Sequence, residues 1–294
     1  MHFRNGKLYL VFEFVDRNLL ELLTEYYPRG CDTELVRSTI FQVIRAIEYC
    51  HRHDVVHRDV KPENILVNLT DMTVKLCDFG FARSIPIPND QPLTDYVATR
   101  WYRAPELLIG SVFYGPEVDV FAIGCLMCEV ADGEPLLPGD SEIAQLGLIQ
   151  RVVGPLSADQ LESFASNPRF VGMRIPLAPM HGKVLSLEER YDARINRRGV
   201  FLLRSLLAVD PALRITANRA LCDSFFDGIY QQPKLGIKAR LARPATVSST
   251  GPRANYASIT KKLASLHACP PRHAAPALQA GRSQLDKGFP TCNR

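Results

Sequence analysis

The residues of this sequence best suited to chemistry lie in two neighbouring stretches, HRDVKPEN at residues 57–64 and DFG shortly after it. Phosphoryl transfer needs a held triphosphate, neutralised charge and an oriented hydroxyl. Asp59 is predicted to accept the proton of the attacking hydroxyl, and Lys61 to offset charge on the γ-phosphate. Oxygen atoms of Asn64 and Asp78 suit Mg²⁺, which keeps water and phosphate oxygens in its shell. A particular string of eight residues occurs by chance about once in ten billion windows. This low frequency disfavours the interpretation that the two stretches are ordinary loops.

Short strands and longer helices are predicted to position these residues. Strands are expected at residues 65–67 and 74–77, on either side of the two motifs, and a longer strand at residues 7–15. Apolar residues at helical spacing follow Asp32 and Thr33, either of which could cap the helix. The helices predicted from spacing and end signals lie at residues 19–25, 33–53, 117–130, 141–152, 157–164 and 199–208.

Charge and composition divide the chain into an acidic body and a basic tail. The 294 residues have the composition of a soluble globular protein, and they contain neither an apolar run of membrane-spanning length nor a cleavable signal pattern. Residues 1–233 carry 24 basic and 30 acidic residues, whereas residues 234–294 carry 11 and one. We therefore expect a domain over residues 1–230 and a basic, disordered tail over residues 231–294.

The cysteines indicate free thiols in a reducing compartment, because their spacing matches no disulfide framework. We expect the cytoplasm, the nucleus or both. Cys125 and Cys128 form a CxxC pair, which could suggest metal or redox chemistry, but the surrounding apolar stretch favours packing in a buried helix. The eight cysteines are Cys31, Cys50, Cys77, Cys125, Cys128, Cys222, Cys269 and Cys292.

Three further motifs extend the pattern, CDFGFAR at residues 77–83, TDYVATRWYRAPELL at residues 94–108 and the weaker NPRFVG at residues 167–172. With these, the chain resembles eukaryotic protein kinases of the group of cyclin-dependent and mitogen-activated kinases, and most of all the cyclin-dependent kinase-like family. The resemblance covers about residues 7–230. It implies an α+β fold, the protein-kinase-like fold, with a mainly α-helical C-terminal lobe at residues 16–230 and a remnant of the N-terminal β-lobe and hinge at residues 1–15.

The resemblance also implies a nucleotide pocket that binds ATP with Mg²⁺. Phe12 is similar to the gatekeeper, and Glu13 to Val15 to the hinge whose backbone would bind adenine. Leu66 is similar to the apolar floor of the pocket, and plain core packing is the alternative for all of these residues. Cys77 would line the pocket, either as an accessible thiol or as a small buried residue. Lysine at position 61 is the pattern of serine/threonine kinases.

Thr94-Asp95-Tyr96 resembles the dual phosphorylation motif of an activation loop, with an unmodified flexible loop as the alternative. A phosphate adds about −1.5 to −2 charge and binds arginine, which would order the loop. The arginines expected to pair with the phosphates are Arg58 and Arg83 for Thr94, and Arg100 and Arg103 for Tyr96.

Three residues resemble structural members of the family. Glu106 is expected to pair with Arg214 in a buried salt bridge. Asp119 is expected to accept hydrogen bonds from the backbone of the catalytic loop. Phe121 stands where the family usually carries tryptophan, a change that packing could tolerate.

The upper part of a kinase site is not found in these residues. Gly6 is the only glycine before Gly30, so there is no Gly-rich loop, and Lys7 is the only lysine before Lys61. We therefore expect the strand pair near Leu8 to expose apolar side chains and this chain to transfer phosphate very weakly or not at all.

Two functions from different classes follow. The first is an ATP-dependent serine/threonine kinase acting on protein substrates, with room for an upstream activating kinase. The alternative is a non-catalytic kinase-like binding or scaffold module. The four retained polar residues of the lower site favour the first, and the absent upper lobe favours the second for this polypeptide. We expect a monomer without a membrane span, and nucleic acid only as a weak ligand of the basic tail.

Overall fold

The computed structural model describes residues 2–4, 6–85, 100–111, 114–175, 186–229 and 236–237. It is mainly α-helical with short antiparallel strands, and the predicted α+β class is confirmed. The chain begins with a hairpin in which β1 (His2–Arg4) pairs with β2 (Lys7–Tyr9) around Gly6, whose φ is +72°.

The predicted strand at residues 7–15 was too long. Only Lys7–Tyr9 forms a strand, and residues 10–15 lead irregularly to β3 (Arg17–Asn18). Beyond β1, no strand within the described part of the chain pairs with β2, so residues 10–15 have no ladder to join. The β1–β2 hairpin and residues 10–15 together leave a band of large apolar side chains in solvent, as expected. The exposed members of the band are Phe3, Leu8, Tyr9, Leu10, Val11, Phe12 and Phe14.

Capping residues set the starts of the first two helices. Asn18 caps α1 (Leu19–Tyr26) in a reciprocal capping box with Glu21. The Asp32 carboxylate accepts from the amide of Leu35 and caps α2 (Thr33–Arg52). One face of α2 enters the core, and burying each large apolar side chain contributes about 1.5–3 kcal/mol. The buried apolar residues of α2 are Leu35, Val36, Ile40, Phe41, Val43, Ile44, Ile47 and Cys50.

Two small antiparallel sheets lie in the region between the helices. A three-stranded antiparallel sheet has the order β3–β5–β6, where β5 is Ile65–Val67 and β6 is Val74–Leu76. A second pairing joins β4 (Val55–Val56) to β7 (Arg83–Ser84). The strands predicted on either side of the motifs are therefore present.

The centre of the core is α4 (Glu117–Asp132), in which every residue from Val118 to Ala131 is buried. The helix ends at Gly133, whose φ of +77° gives the left-handed C-cap that glycine adopts without strain. Cys125 and Cys128 lie inside this helix, and burial raises the pKa of both thiols. Packing is thus their observed role in the structure.

The remaining helices contribute buried residues to the same core. They are α3 (Pro105–Leu108), α5 (Glu142–Val152), α6 (Ala158–Ser166), α7 (Leu187–Leu206) and α8 (Ala217–Leu221). The spacing of apolar residues predicted α5 and α6, but of α7 it predicted only the part from residue 199 onwards. Asn196 has φ 58° and ψ 170° and breaks α7 in two, and its side chain accepts from the amide of Gly199. The apolar spacing is thereby interrupted, which explains why only the second half was predicted.

The packed residues include Ile237, which lies beyond the predicted domain boundary at residue 230. Its amide donates to the carbonyl of Leu69 at 3.0 Å, and its side chain is buried. Apart from residues 236–237, the predicted tail lies outside the described part of the chain. Among the described residues, none of the helices has the length and apolar character needed to cross a membrane.

Candidate active site

Strand pairing brings the two predicted metal ligands to one end of the small sheet. Ile65 in β5 lies opposite Leu76 in β6, and the amide of Cys77 donates to the carbonyl of Asn64 at 2.9 Å. Asn64 thus lies just before the start of β5, and Asp78 lies two residues beyond the end of β6. The antiparallel register of β5 and β6 therefore places the backbone segments of these two residues side by side.

The predicted base and its neighbours form a connected group. Lys61 Nζ lies 2.9 Å from Asp59 Oδ2, and both side chains are largely buried. Asn64 Nδ2 donates to the carbonyl and to Oδ2 of Asp59, both at 2.8 Å. These contacts fix the Asp59 carboxylate, and they leave Asn64 Oδ1 as an acceptor without a donor among the described residues. An amide oxygen and a nearby carboxylate are the oxygen ligands that suit Mg²⁺, so the residues present fit that ion.

Asp78 is held in a left-handed backbone conformation. Its φ of 60° and ψ of 76° are unfavourable for a residue other than glycine. Its Oδ1 accepts from the amide of Gly80 at 3.2 Å. His57 steadies the same segment, since its Nε2 lies 3.0 Å from the carbonyl oxygen of Cys77 and its ring packs edge-on against Phe79 at 4.9 Å. Such strain persists only where surrounding contacts fix the backbone, as they do here.

Asp119 holds the catalytic loop from below, as predicted. Its carboxylate, only 1% exposed, accepts from the amide of His57 at 2.9 Å and from the amide of Arg58 at 2.7 Å. His51 Nε2 makes a third contact at 2.8 Å, which the sequence reasoning did not anticipate. A buried carboxylate needs such partners, because burial without them is costly. Arg58 has φ +67°, so these bonds also hold a strained backbone.

The predicted nucleotide-binding residues lie in a more open setting. Leu66 and Val15 are half-buried, but Phe12 is 80% exposed, and no described residue covers its ring as a gatekeeper would be covered. Glu13 is exposed and pairs with Lys75 Nζ at 2.6 and 2.8 Å. Lys75 lies opposite Leu66 in the register of β5 and β6, so this ion pair ties the segment of the predicted hinge to these two strands.

Cys77 is half-buried, between the two alternatives considered for it. Burial, and then the neighbouring Asp78 carboxylate, raise the pKa of its thiol. A raised pKa keeps the thiol protonated near neutral pH, so Cys77 is a poor nucleophile there.

The phosphorylatable residues Thr94 and Tyr96 lie outside the described residues. Of the arginines predicted to serve them, Arg83 in β7 pairs with Val56 and so lies beside the strand that leads into the catalytic loop. Arg103 lies 3.8 Å from Glu142. Arg100 is half-buried in a 3₁₀ turn at Arg100–Tyr102.

The predicted buried salt bridge is present. Arg214 donates to both carboxylate oxygens of Glu106, at 2.7 and 3.1 Å, with side-chain exposures of 0% and 6%. Arg214 also donates to the carbonyls of Ala208 and Glu117, each at 2.8 Å. Its guanidinium lies 5.2 Å from the ring centre of Phe121, which is fully buried. Phenylalanine at that position therefore packs beneath the ion pair.

Two more contacts near the site were missed by sequence reasoning. Tyr114 and Lys75 each stand alone in the sequence without a motif or a periodic pattern, and their contacts with Arg58 and Glu13 are long-range. Only the pairing of distant segments could have indicated them.

The fold and this site define a protein kinase domain, and a family model described as protein kinase domain matches residues 2–226. Cyclin-dependent kinase-like 5 of Homo sapiens is 45% identical over 288 residues, which are 98% of this chain and 29% of that protein. Cyclin-dependent kinase-like 2 of Oryctolagus cuniculus is 46% identical over 244 residues, 82% of this chain and 42% of that protein. Cyclin-dependent kinase-like 4 of Mus musculus is 42% identical over 237 residues, 81% of this chain and 67% of that protein.

The chain belongs to the protein kinase family and is, within it, a cyclin-dependent kinase-like protein. It spans less than a third of the length of the cyclin-dependent kinase-like 5 proteins that it matches, 29% of the human and 23% of the mouse protein. The resemblance first seen in the catalytic motifs is therefore confirmed at the level of the family.

Proposed function

We propose that the site transfers the γ-phosphate of ATP to serine or threonine hydroxyls of protein substrates, in the presence of Mg²⁺. One observation carries the proposal. Asp59, Lys61 and Asn64 form a bonded group, and strand register brings Asn64 next to the segment of Asp78. A degenerate module has no chemical need of all four residues in this arrangement.

Each residue of the site has a separate role in the proposed reaction. The Asp59 carboxylate accepts the proton of the substrate hydroxyl, held in orientation by the Asn64 amide. The Lys61 ammonium lies beside Asp59 in the structure, and its positive charge stabilises the transferred phosphoryl group. Asn64 Oδ1 and the Asp78 carboxylate would hold the metal ion, which supplies charge neutralisation when bound.

Serine/threonine preference rests on Lys61, which follows Asp59 by two positions. Its ammonium lies 2.9 Å from the carboxylate that would take the proton. The preference is tested by identifying which hydroxyl amino acid carries label after transfer to a mixed peptide library.

The rate expected of these 294 residues is low. Removing one pre-organised charged donor costs about 10²- to 10³-fold in rate, and neither a Gly-rich loop nor a lysine between residues 8 and 60 is present to contact the phosphates. The exposed band around Phe12 also leaves the adenine side of the site open to water.

The exposed band is also the observation that favours the alternative, a non-catalytic module that docks partners. The discriminating experiment incubates the 294-residue chain with Mg²⁺ and labelled ATP and a serine/threonine peptide, beside an Asp59→Asn variant. Slow transfer that Asp59→Asn abolishes supports the kinase. Equal label in both proteins indicates a contaminant, and absent transfer with absent Mg²⁺–ATP binding favours the docking module.

A further inference from the structure

Tyr114 contacts the catalytic loop through the side chain of Arg58. Its hydroxyl accepts from Arg58 Nη1 at 2.7 Å. Tyr114 lies shortly before α4, the helix whose Asp119 binds the backbone amide of the same arginine at 2.7 Å. One short segment therefore holds Arg58 at both its main chain and its side chain.

The other end of the Arg58 guanidinium reaches the segment that follows Asp78. Arg58 Nε donates to the carbonyl of Phe81 at 2.6 Å. Phe81 closes the 3₁₀ turn at Phe79–Phe81, and the first residue before that turn is Asp78, whose Oδ1 accepts from the amide of Gly80. A chain of hydrogen bonds thus runs from Tyr114 through Arg58 to the turn that sets the Asp78 side chain.

Among the described residues, only neutral groups fix the orientation of the Arg58 side chain. Within the part of the chain that the structure describes, no carboxylate lies within ion-pair distance of its guanidinium, and the side chain is bonded to one hydroxyl and one carbonyl. With only two such bonds, the loss of either frees the planar guanidinium to rotate. The φ of +67° at Arg58 adds strain that these contacts must offset.

We propose that Tyr114 is a positioning residue for the metal-binding turn. Through its hydroxyl it holds Arg58 against the Phe81 carbonyl and thereby keeps Asp78 in its left-handed conformation. The consequence for catalysis rests on the proposed function, whereas the positioning itself is a property of the folded chain and needs no nucleotide.

The test is a Tyr114→Phe variant, which removes only the hydroxyl. Solvent exchange of Arg58 Nε–H and of the Gly80 amide is measured by nuclear magnetic resonance in the full chain without metal. Arg37 provides an internal reference, because its Nε donates to the carbonyl of Phe225 at the same 2.6 Å, remote in sequence from this site. Tyr49→Phe is the matched control variant, since Tyr49 is 58% exposed and its ring contacts His53.

We expect Tyr114→Phe to speed exchange at Arg58 Nε–H and at Gly80 about 10-fold, as the loss of a hydrogen bond to a charged group predicts. Arg37 Nε–H should be unchanged, and Tyr49→Phe should change none of the three. Unchanged exchange at Arg58 would overturn the proposal. Faster exchange at Arg58 with unchanged exchange at Gly80 would also overturn it, because the link to Asp78 would be missing.

A second readout connects positioning to chemistry. The Mg²⁺ concentration that half-saturates ATP binding should rise about 3- to 10-fold in Tyr114→Phe, whereas Tyr49→Phe should match the parent protein. If the parent protein binds no Mg²⁺–ATP, the proposed function fails, and the positioning role is then judged by the exchange rates alone.

Discussion

Replacing Glu106 by glutamine should destabilise the domain far more than the same replacement at an exposed ion pair of equal length. Glu106→Gln keeps the shape of the side chain but leaves the Arg214 guanidinium, with 0% exposure, without a counter-charge. Breaking a buried pair in this way costs about 3–5 kcal/mol. Because domains of this size have an unfolding free energy of about 5–15 kcal/mol, the loss is a large share of the total.

The matched control is Glu188→Gln. Glu188 lies 2.7 Å from Arg204, the same distance as Glu106 from Arg214, but the two side chains are 48% and 62% exposed. An exposed pair of this kind contributes about 0–1 kcal/mol. The two pairs have the same shortest distance and differ in burial and in the second Glu106 hydrogen bond that burial accompanies.

The assay is urea unfolding followed by circular dichroism, with the slope of the transition compared among the three proteins. We expect the midpoint to fall strongly for Glu106→Gln and slightly for Glu188→Gln at an unchanged slope. If Glu106→Gln costs less than about 1 kcal/mol, or no more than Glu188→Gln, then desolvation does not govern this bridge and the reasoning is refuted.

Three other outcomes follow from the structure. Asp119→Asn places a donor against the amides of the catalytic loop, so we expect a loss of about 1–3 kcal/mol in urea unfolding and a lower transfer rate. Burial raises the folded-state pKa of Cys125 and Cys128 above the ordinary 9.0. The thiols of the unfolded chain therefore lose their protons at lower pH than those of the folded chain, so stability should fall as pH rises above 9. Thermal melts at increasing pH should show a smaller loss of stability in the double variant Cys125→Ala/Cys128→Ala. Leu8→Lys/Phe12→Lys should lower the binding of a hydrophobic fluorescent dye to the folded chain with little change in the unfolding free energy, because both side chains are exposed, by 49% and 80%.

The close grouping of the candidate catalytic residues could be predicted from sequence because they are only a few positions apart. Asp59, Lys61 and Asn64 lie in one short loop, so their mutual geometry is mostly local. The amphipathic pattern of α2 likewise predicted its bounds to within a residue. Local pattern and local structure agree at these places.

Other features depended on contacts that no local pattern encodes. The Tyr114–Arg58 bond joins residues 56 positions apart, and the Glu13–Lys75 pair joins residues 62 apart. The first half of α7 was missed because Asn196 interrupts its apolar spacing. Phe12 was predicted in a pocket, yet its exposure depends on which residues lie above it, a tertiary property.

The central claim is that Asp59, Lys61, Asn64 and Asp78 surround a single metal–nucleotide centre. Mn²⁺ with ATP tests it most directly, because the paramagnetic ion broadens nearby amide signals even when binding is weak. We predict selective broadening at residues 59–64 and 77–80 that Asp78→Asn removes. Broadening elsewhere in the chain, or broadening at these residues that persists unchanged in Asp78→Asn, would contradict the claim.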